Sequence, residues 1–290
     1  MPPRPQLLIE DHHAILDIEY DGAPFRGWTR QPGGILTIEG ALIAAFQSIN
    51  CTDVALCCAG RTDAGVHATA QVADVRYRGS LPPERLARAL ITALPDALAV
   101  TASRPAPQGF DSRADATSRA YEYRVLARSI HSPMRATRVL HHPRELDKEL
   151  LDAAAGLFCG HHDFSAFTPT QTLHKYFERI VIDSRWIERG DELVFQVRAN
   201  AFLRHMVRIA VGTMLAVGRG TFSLDRFARL VDDTHTAKRG DASSTAPPHG
   251  LCFVDVTWDP IDGVPLPPRW RATRPADDAG GAVHPFQIPG

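Results

Sequence analysis

The segment Cys58–His67, CAGRTDAGVH, combines residues that could carry out chemistry. Asp63 lies two positions after Arg61, between Gly60 and Gly65, which permit close approach of a ligand or another chain segment. An aspartate beside a guanidinium could act as a nucleophile or a general base. The simpler interpretation is a turn in which Asp63 bonds the backbone and has an arginine partner. Residue types and spacing leave both interpretations open.

Arg208 is a second unusual residue, because it lies in a mostly apolar stretch, 202–217, that predicts a helix. Arg204 precedes it by one helical turn. A buried arginine requires a carboxylate or phosphate partner, since an unpaired buried charge is strongly destabilising. Alternatively, the long side chain reaches solvent from the edge of the helix.

Tyr121 shares one face of a predicted strand with Tyr123 and follows Arg119 by two positions. An aromatic residue in a strand is usually part of the core. The alternative is a ring that stacks on a base, as proteins that bind single-stranded or flipped nucleotides require.

No other group of residues predicts a metal, a cofactor or a different nucleophile. The adjacent histidines at 12–13 and 141–142 point to opposite faces of a strand, and the cluster at 159–163 lacks zinc spacing. Five cysteines without a C-x-x-C pair disfavour both a disulfide framework and structural zinc. Serine-hydrolase, dinucleotide-binding and P-loop spacings are not found. We therefore expect a site that uses neither metal nor cofactor.

The elements that must position these residues follow from the hydrophobic pattern. Strands are predicted at 13–20, 54–58, 69–77, 97–103, around 121–125, at 178–187, 192–199 and 251–258. Helices are predicted at 37–48, from Pro83 through Leu94, at 146–158 with a left-handed cap at Gly160, at 202–217 and after Ser223. Asp63 then falls on a loop between two strands, where rigid elements can hold it. Neighbouring strands and short crossovers favour an α+β fold with a mostly antiparallel sheet.

The composition is that of a globular protein. Of 290 residues, 44% are hydrophobic and 22% charged, which excludes the disordered, collagen-like and coiled-coil classes. The sequence has no apolar run of the roughly 18 residues that a membrane helix needs, and its start lacks the apolar stretch of a signal peptide. We therefore expect a soluble, cytoplasmic protein.

The net charge of −1 argues at first against a nucleic-acid partner, because nucleic-acid binders are usually basic. The charges are unevenly distributed, however. Residues 104–144 hold eight arginines and three acids, and residues 193–223 hold four arginines and no acid. Tyr121 and Arg208 lie in these two segments. If the segments line a cleft, affinity for RNA should fall steeply with added salt.

Several short motifs, in order along the chain, resemble the tRNA pseudouridine synthase A family. The most specific is Gly60–His67, GRTDAGVH, followed by Gln71. The segments RAYEYR at 119–124 and NAFLRHMVR at 200–208 are also similar to the family's motifs. Shorter matches are YDG at 20–22, GW at 27–28, DFSAF at 163–167 and APPHGL at 246–251. The sequence departs from the family pattern at Thr29 and Glu39, where glutamine is usual.

This resemblance implies an isomerase without a cofactor. The reaction would break the N-glycosidic bond of a uridine in the tRNA anticodon stem-loop, typically at positions 38 to 40, and rejoin the base through carbon. Asp63 would be the nucleophile, Tyr121 would stack on the target base and serve in proton transfer, and Arg208 would pair with Asp63 and orient it. The further substrate-binding residues implied are Arg61, which would occupy the space of the extruded nucleotide, Leu251 at the uracil pocket, and His67, Gln71 and Arg204.

The family fold is the pseudouridine synthase fold, two α+β halves with mostly antiparallel sheets around a central catalytic cleft, usually in a homodimer that holds tRNA. It implies an N-terminal α+β domain at 12–112 with the Asp63 loop and a C-terminal α+β domain at 113–262. The composition of the ends predicts a flexible N-terminal arm at 1–11 and a tail rich in proline and glycine at 263–290. Two alternatives stay open. One is the same chemistry on another RNA or a free nucleotide, and the other is a non-catalytic RNA-binding protein that assists folding.

Overall fold

The structure is a computed structural model that describes residues 10–172, 175–231 and 237–265. The strands are β1 Glu10–Tyr20, β2 Thr52–Cys58, β3 His67–Gly79, β4 Leu98–Pro105, β5 Ser118–Ala127, β6 Leu140–His142, β7 Gly160–Asp163, β8 Glu178–Arg189, β9 Glu192–Ala199 and β10 Leu251–Thr257. The helices are α1 Ile38–Ser48, α2 Leu86–Leu90, α3 Lys148–Phe158, α4 Met206–Gly218 and α5 Leu224–Leu230. Within these residues, no helix is long and apolar enough to cross a membrane.

All ten strands form one sheet, in the order β4-β1-β3-β10-β5-β9-β8-β7, with β2 paired to β3 and β6 paired to β5. Pairing is antiparallel except between β3 and β10 and between β5 and β6. The predicted α+β class with a mostly antiparallel sheet is therefore confirmed. Strand β10 comes from the end of the fold and lies between β3 and β5, so it joins the first half of the sheet to the second.

The helices bury apolar faces against this sheet. Nearly every residue of α4 is buried, and α4 packs against α3, which in turn contacts β8. Side chains at the helix starts satisfy free backbone amides. Thr37 caps α1, Asp147 caps α3 and Ser223 caps α5, the last as the sequence predicts.

Several predicted bounds are wrong. The helix predicted at 202–217 begins only at Met206, because His205 adopts a left-handed backbone with φ 60° that interrupts the helix. The helix predicted through Leu94 is a 3₁₀ turn followed by α2. Helix α3 ends at an extended Cys159 rather than in a left-handed cap, and Gly160, with φ 119°, begins β7.

The N-terminal arm is shorter than predicted. Glu10 and Asp11 pair with Gly79 and Arg78 and so belong to β1. The rest of the predicted arm, residues 1–9, lies outside the described residues, as do residues 266–290 of the predicted tail.

Candidate active site

A cavity of about 530 Å³ opens where the loop between β2 and β3 faces β5 and the start of α4. The loop contributes residues 59–63, and the segment into α4 contributes residues 201–208. Tyr121 of β5 and Leu251, the first residue of the adjacent strand β10, also line the cavity. The cavity therefore lies where the two halves of the sheet meet.

Backbone and side-chain hydrogen bonds from β3 hold the start of the loop that carries Asp63. The Ala59 amide donates to the Val72 carbonyl at 2.8 Å. Gln71, which is fully buried, donates from Nε2 to the Gly60 carbonyl at 2.7 Å. The motif at 60–67 and the glutamine that follows it thus form one structural unit.

The first strand and its exit hold the other side of the loop. The Tyr20 and Thr62 hydroxyls are 2.7 Å apart, and the Trp28 amide donates to the Thr62 carbonyl at 3.0 Å. A Cβ added at Gly22 would come within 2.0 Å of the Val66 carbonyl oxygen, so only glycine allows this approach. The early Tyr-Asp-Gly and Gly-Trp motifs therefore support the loop 40 residues later in the chain.

One oxygen of Asp63 is held by two cationic or polar side chains from the α4 region. Arg208 Nη1 donates to Asp63 Oδ2 at 3.0 Å, and His205 Nε2 lies 3.4 Å from the same oxygen. Arg208 Nε donates to the Ala246 carbonyl at 2.9 Å, which fixes the guanidinium. Among the described residues, Asp63 Oδ1 has no hydrogen-bond partner. A carboxylate held by one oxygen with the other free is suited to nucleophilic attack.

His205 reaches this position because of its left-handed backbone. Non-glycine residues in that conformation are uncommon and cluster at functional sites. Partial burial lowers the pKa of His205, and the nearby Arg208, Arg204 and Arg239 lower it further, against the opposite effect of Asp63. The imidazole is therefore neutral at pH 7.

Tyr121 packs edge-on between two aromatic rings. Its ring centroid lies 5.0 Å from that of Phe202 and 5.2 Å from that of Phe253, its cross-strand neighbour. Burial, with a contribution from the charge of Asp63, raises the pKa of Tyr121. The side chain is therefore a neutral phenol at physiological pH, which can stack and donate a hydrogen bond.

The remaining predicted substrate-binding residues fall into two groups. Arg61, Arg204 and Leu251 line the cavity, and both arginines are exposed. His67 and Gln71 do not belong to its lining. His67 is buried at the start of β3, with Nε2 2.9 Å from the Thr137 carbonyl oxygen and Nδ1 accepting from the Gly22 amide. The structure thus gives His67 and Gln71 contacts with the protein framework.

Sequence reasoning gave no role in the site to several residues that line the cavity, among them Thr29, Arg113, Arg119 and His205. Arg119 and His205 lie inside motifs that the resemblance identified, and that location was the available signal. Thr29 was noted only as a departure from the family pattern, outside the catalytic match. Because Thr29 lines the cavity, the sequence departs from the family pattern at a residue of the site itself.

The basic segments are only partly what the charge count predicted. Most arginines of residues 104–144 pair with acids from other segments: Arg104 with Asp17, Arg124 with Glu192, Arg128 and Arg135 with Asp191, and Arg138 with Asp21. These five arginines do not belong to the lining of the cavity. The cavity is nevertheless positive. Among the described residues that line it are five arginines and one carboxylate, namely Arg61, Arg113, Arg119, Arg204, Arg208 and Asp63.

One group outside the cavity has ligand atoms of the type that metals bind. Single ligand atoms of Cys57, Asp74 and Asp111 lie within 4.8 Å of one another. The two aspartates are already engaged, however. Asp74 accepts from the Ser112 amide at 2.8 Å and contacts His13 at 3.0 Å, and Asp111 accepts from backbone amides of the following turn. These contacts give the group a structural role at the start of the second half.

Comparison with known proteins finds relatives that match over most of the chain. The sequence model of a family described as tRNA pseudouridine synthase matches residues 154–259. The tRNA pseudouridine synthase A of Methylacidiphilum infernorum is 38% identical over 246 residues, covering 84% of this chain and 95% of the relative. That of Thermus thermophilus is 38% identical over 248 residues, covering 84% and 96%. The solved structure of a Cbf5-Nop10-Gar1 complex covers 83% of this chain and 49% of that chain at 11% identity, with a TM-score of 0.34, too low to support an argument.

Proposed function

Because this chain belongs to the tRNA pseudouridine synthase A family and isomerises uridine to pseudouridine in tRNA, we propose that Asp63 is the nucleophile of that reaction. The observation that carries the proposal is the contact of Arg208 with one oxygen of Asp63 at 3.0 Å inside the cavity. Arg208 orients the carboxylate, and Oδ1 is left to attack.

The chemistry explains why such a carboxylate is needed. The bond from ribose C1′ to uracil N1 breaks, a bond from C1′ to C5 forms, the hydrogen at C5 leaves as a proton, and N1 gains a proton. The base must detach and turn before it rejoins, so a covalent partner that holds one fragment lowers the barrier. Asp63 can supply it by adding to the uracil ring or to C1′.

Tyr121 has the second role in this proposal. Its ring stacks on the target base, and its phenol stays protonated at neutral pH because burial raises its pKa. Leu251 contacts the uracil from β10. Arg61, exposed at the mouth, occupies the space that the extruded nucleotide leaves, and Arg204 contacts the RNA backbone.

His67 and Gln71 act on the substrate indirectly in this proposal. Gln71 fixes the Gly60 carbonyl, and His67 fixes the exit of β1 through the Gly22 amide. Both contacts hold the loop that positions Asp63.

We further propose that the target uridines lie in the anticodon stem-loop at positions 38 to 40, and that the protein acts as a cytoplasmic homodimer. These finer statements rest on the resemblance of the motifs at 60–67, 119–124 and 200–208 to the family. Sequence mapping of pseudouridine in tRNA incubated with and without the protein tests the position, and sedimentation tests the dimer.

Asp63→Asn tests the nucleophile. The substitution keeps the shape of the side chain and removes its charge, so pseudouridine formation should be abolished while tRNA still binds. Asp96→Asn, an exposed aspartate outside the cavity, is the matched control and should leave turnover unchanged. Turnover of Asp63→Asn near that of the control would rule out the assignment. Parallel assays with free uridine monophosphate should give no product, and product from the monomer alone would favour the free-nucleotide alternative.

A further inference from the structure

Two arginines of the cavity wall differ from their neighbours in the chain. Of the eight arginines between 104 and 144, five pair with carboxylates at 2.6 to 3.1 Å. Within the described part of the chain, Arg113, Arg119 and Arg144 have no carboxylate partner. Arg144 is exposed and lies outside the cavity lining, whereas Arg113 and Arg119 both belong to it.

Arg119 is a buried cation that the protein solvates only with carbonyl groups. Its side chain is 8% exposed and donates to the carbonyls of Ala59, Ala116, Asn200 and Arg113 at 2.5 to 3.0 Å. A guanidinium has five N–H groups, so one on Nη2 is left over. Burial, and the charge of Arg113 after it, lower the pKa of Arg119 to about 10, so it is charged at neutral pH. A buried charge without a counter-ion is costly, which indicates that an anion belongs beside it.

Arg113 has a fixed backbone and a free side chain. Its amide donates to Asp111 Oδ1 at 3.0 Å, and its carbonyl accepts from Arg119. Its exposed guanidinium faces the cavity without a hydrogen-bond partner among the described residues. The fork of an arginine matches two oxygens of a phosphate, which makes this side chain suited to a phosphodiester.

The position of the two arginines selects the anion. Arg208, on the α4 side, is already neutralised by Asp63, whereas Arg119 lies in β5 and Arg113 in the segment that precedes β5. A nucleotide within an RNA chain brings one phosphodiester on each side of its ribose. We propose that Arg113 and Arg119 form a subsite for one phosphodiester that flanks the target uridine. Arg113 donates through its fork, and Arg119 supplies a buried positive charge and one N–H.

This inference rests on the proposed function, because it takes the substrate to be an RNA chain whose uridine reaches Asp63. The test is a thermodynamic cycle that combines a change in the protein with a change in the RNA, read by binding affinity. The protein change is Arg113→Gln, and the RNA change is one neutral methylphosphonate linkage in a stem-loop, placed 5′ or 3′ of the target uridine. At one of the two linkages, the wild-type protein should lose about tenfold in affinity, as for one charged hydrogen bond. Arg113→Gln should lose a similar factor with the unmodified RNA and less than about twofold more with the methylphosphonate. If the affinity losses from Arg113→Gln and from the methylphosphonate multiplied at both linkages, the two groups would act independently, and the proposed subsite would be wrong.

Matched variants separate this contact from general charge and from folding. Arg144→Gln removes the same charge outside the cavity and should keep wild-type affinity. In Arg113→Gln, the slope of log affinity against log salt should fall by about 1, and an unchanged slope would speak against a phosphate contact. Arg113→Lys keeps the charge but not the fork. It should keep the salt slope and lose affinity, and it serves if the glutamine variant does not fold.

The same samples distinguish failure of the subsite from failure of the proposed function. Pseudouridine formation by the wild-type protein on the unmodified stem-loop is measured beside the binding cycle. If Asp63→Asn were still active, the proposed nucleophile would be wrong, and the cycle would still report whether Arg113 contacts phosphate.

Discussion

Loss of the Arg208 guanidinium should damage both stability and turnover, because this one group connects α4 to Asp63 and to the segment before β10. Arg208→Leu removes the 3.0 Å contact with Asp63 Oδ2 and the 2.9 Å hydrogen bond from Nε to the Ala246 carbonyl. It leaves a carboxylate without its main partner in a site that is partly closed to solvent.

The size of the effect follows from the exposure of the pair. The side chains of Arg208 and Asp63 are 14% and 31% exposed. Exposed ion pairs contribute up to about 1 kcal/mol, and breaking a fully buried pair costs about 3–5 kcal/mol. The exposure of this pair lies between these limits, so we expect the ion pair to contribute about 2 kcal/mol to stability. The hydrogen bond to Ala246 adds about 1 kcal/mol. For a chain of 290 residues, a loss of about 3 kcal/mol lowers the melting temperature by about 5 °C.

The assay is a double-mutant cycle with Asp63→Asn and Arg208→Leu, read by denaturant unfolding, together with single-turnover kinetics on tRNA. The coupling free energy between the two residues should be about 1–2 kcal/mol. The turnover of Arg208→Leu should fall about 100-fold, because the Asp63 carboxylate loses its orienting partner and a displacement of about 1 Å lowers a reaction rate by about that factor. Arg208→Lys keeps the charge and should recover part of the stability. A coupling below about 0.3 kcal/mol with turnover within about twofold of wild type would refute the pairing.

Three further predictions concern the walls of the site and the buried histidines. Gly60→Ala should lower the free energy of unfolding by about 1–3 kcal/mol, since the new Cβ would come within 2.9 Å of the buried Phe253 ring beside Tyr121. The control Gly156→Ala, at an exposed position with open space, should not destabilise the protein. Equal melting temperatures of the two variants would contradict this prediction. Tyr121→Phe should bind tRNA within about twofold of the wild-type affinity. Tyr121→Leu should bind tRNA about tenfold more weakly, because stacking on a base contributes about 1–3 kcal/mol. Equal dissociation constants of the two variants would exclude stacking. Burial lowers the pKa of three histidines below 6.5 in the folded state. As the pH falls below 6.5, the unfolded chain therefore binds more protons than the folded protein does, and the folded protein loses stability. The melting temperature should drop between pH 7 and 5.5, and a constant or rising value would contradict the burial of His142, His205 and His249.

The sequence by itself determined the features that depend on neighbouring residues. Alternation of apolar residues located β1, β3, β5, β8 and β9, and the serine at 223 located a helix start, because a strand face and an N-cap are each defined within a few positions. The order of short motifs identified the family, since each motif is contiguous. The strands β6 and β7 escaped prediction because, at three and four residues, they are too short for a pattern.

Only the tertiary structure showed how distant charges meet. The resemblance implied that Arg208 pairs with Asp63, 145 positions earlier, and the structure shows this contact because folding brings the start of α4 to the loop between β2 and β3. The same folding neutralises five arginines of the basic segment 104–144 and leaves Arg113 and Arg119, in the cavity wall, without a carboxylate partner among the described residues. The left-handed backbone of His205, which delays the start of the predicted helix to Met206 and brings an imidazole to Asp63, is likewise invisible in the hydrophobic pattern. A sequence pattern records the solvent exposure of each residue, whereas an ion pair depends on two segments that the chain brings together only when the sheet is complete.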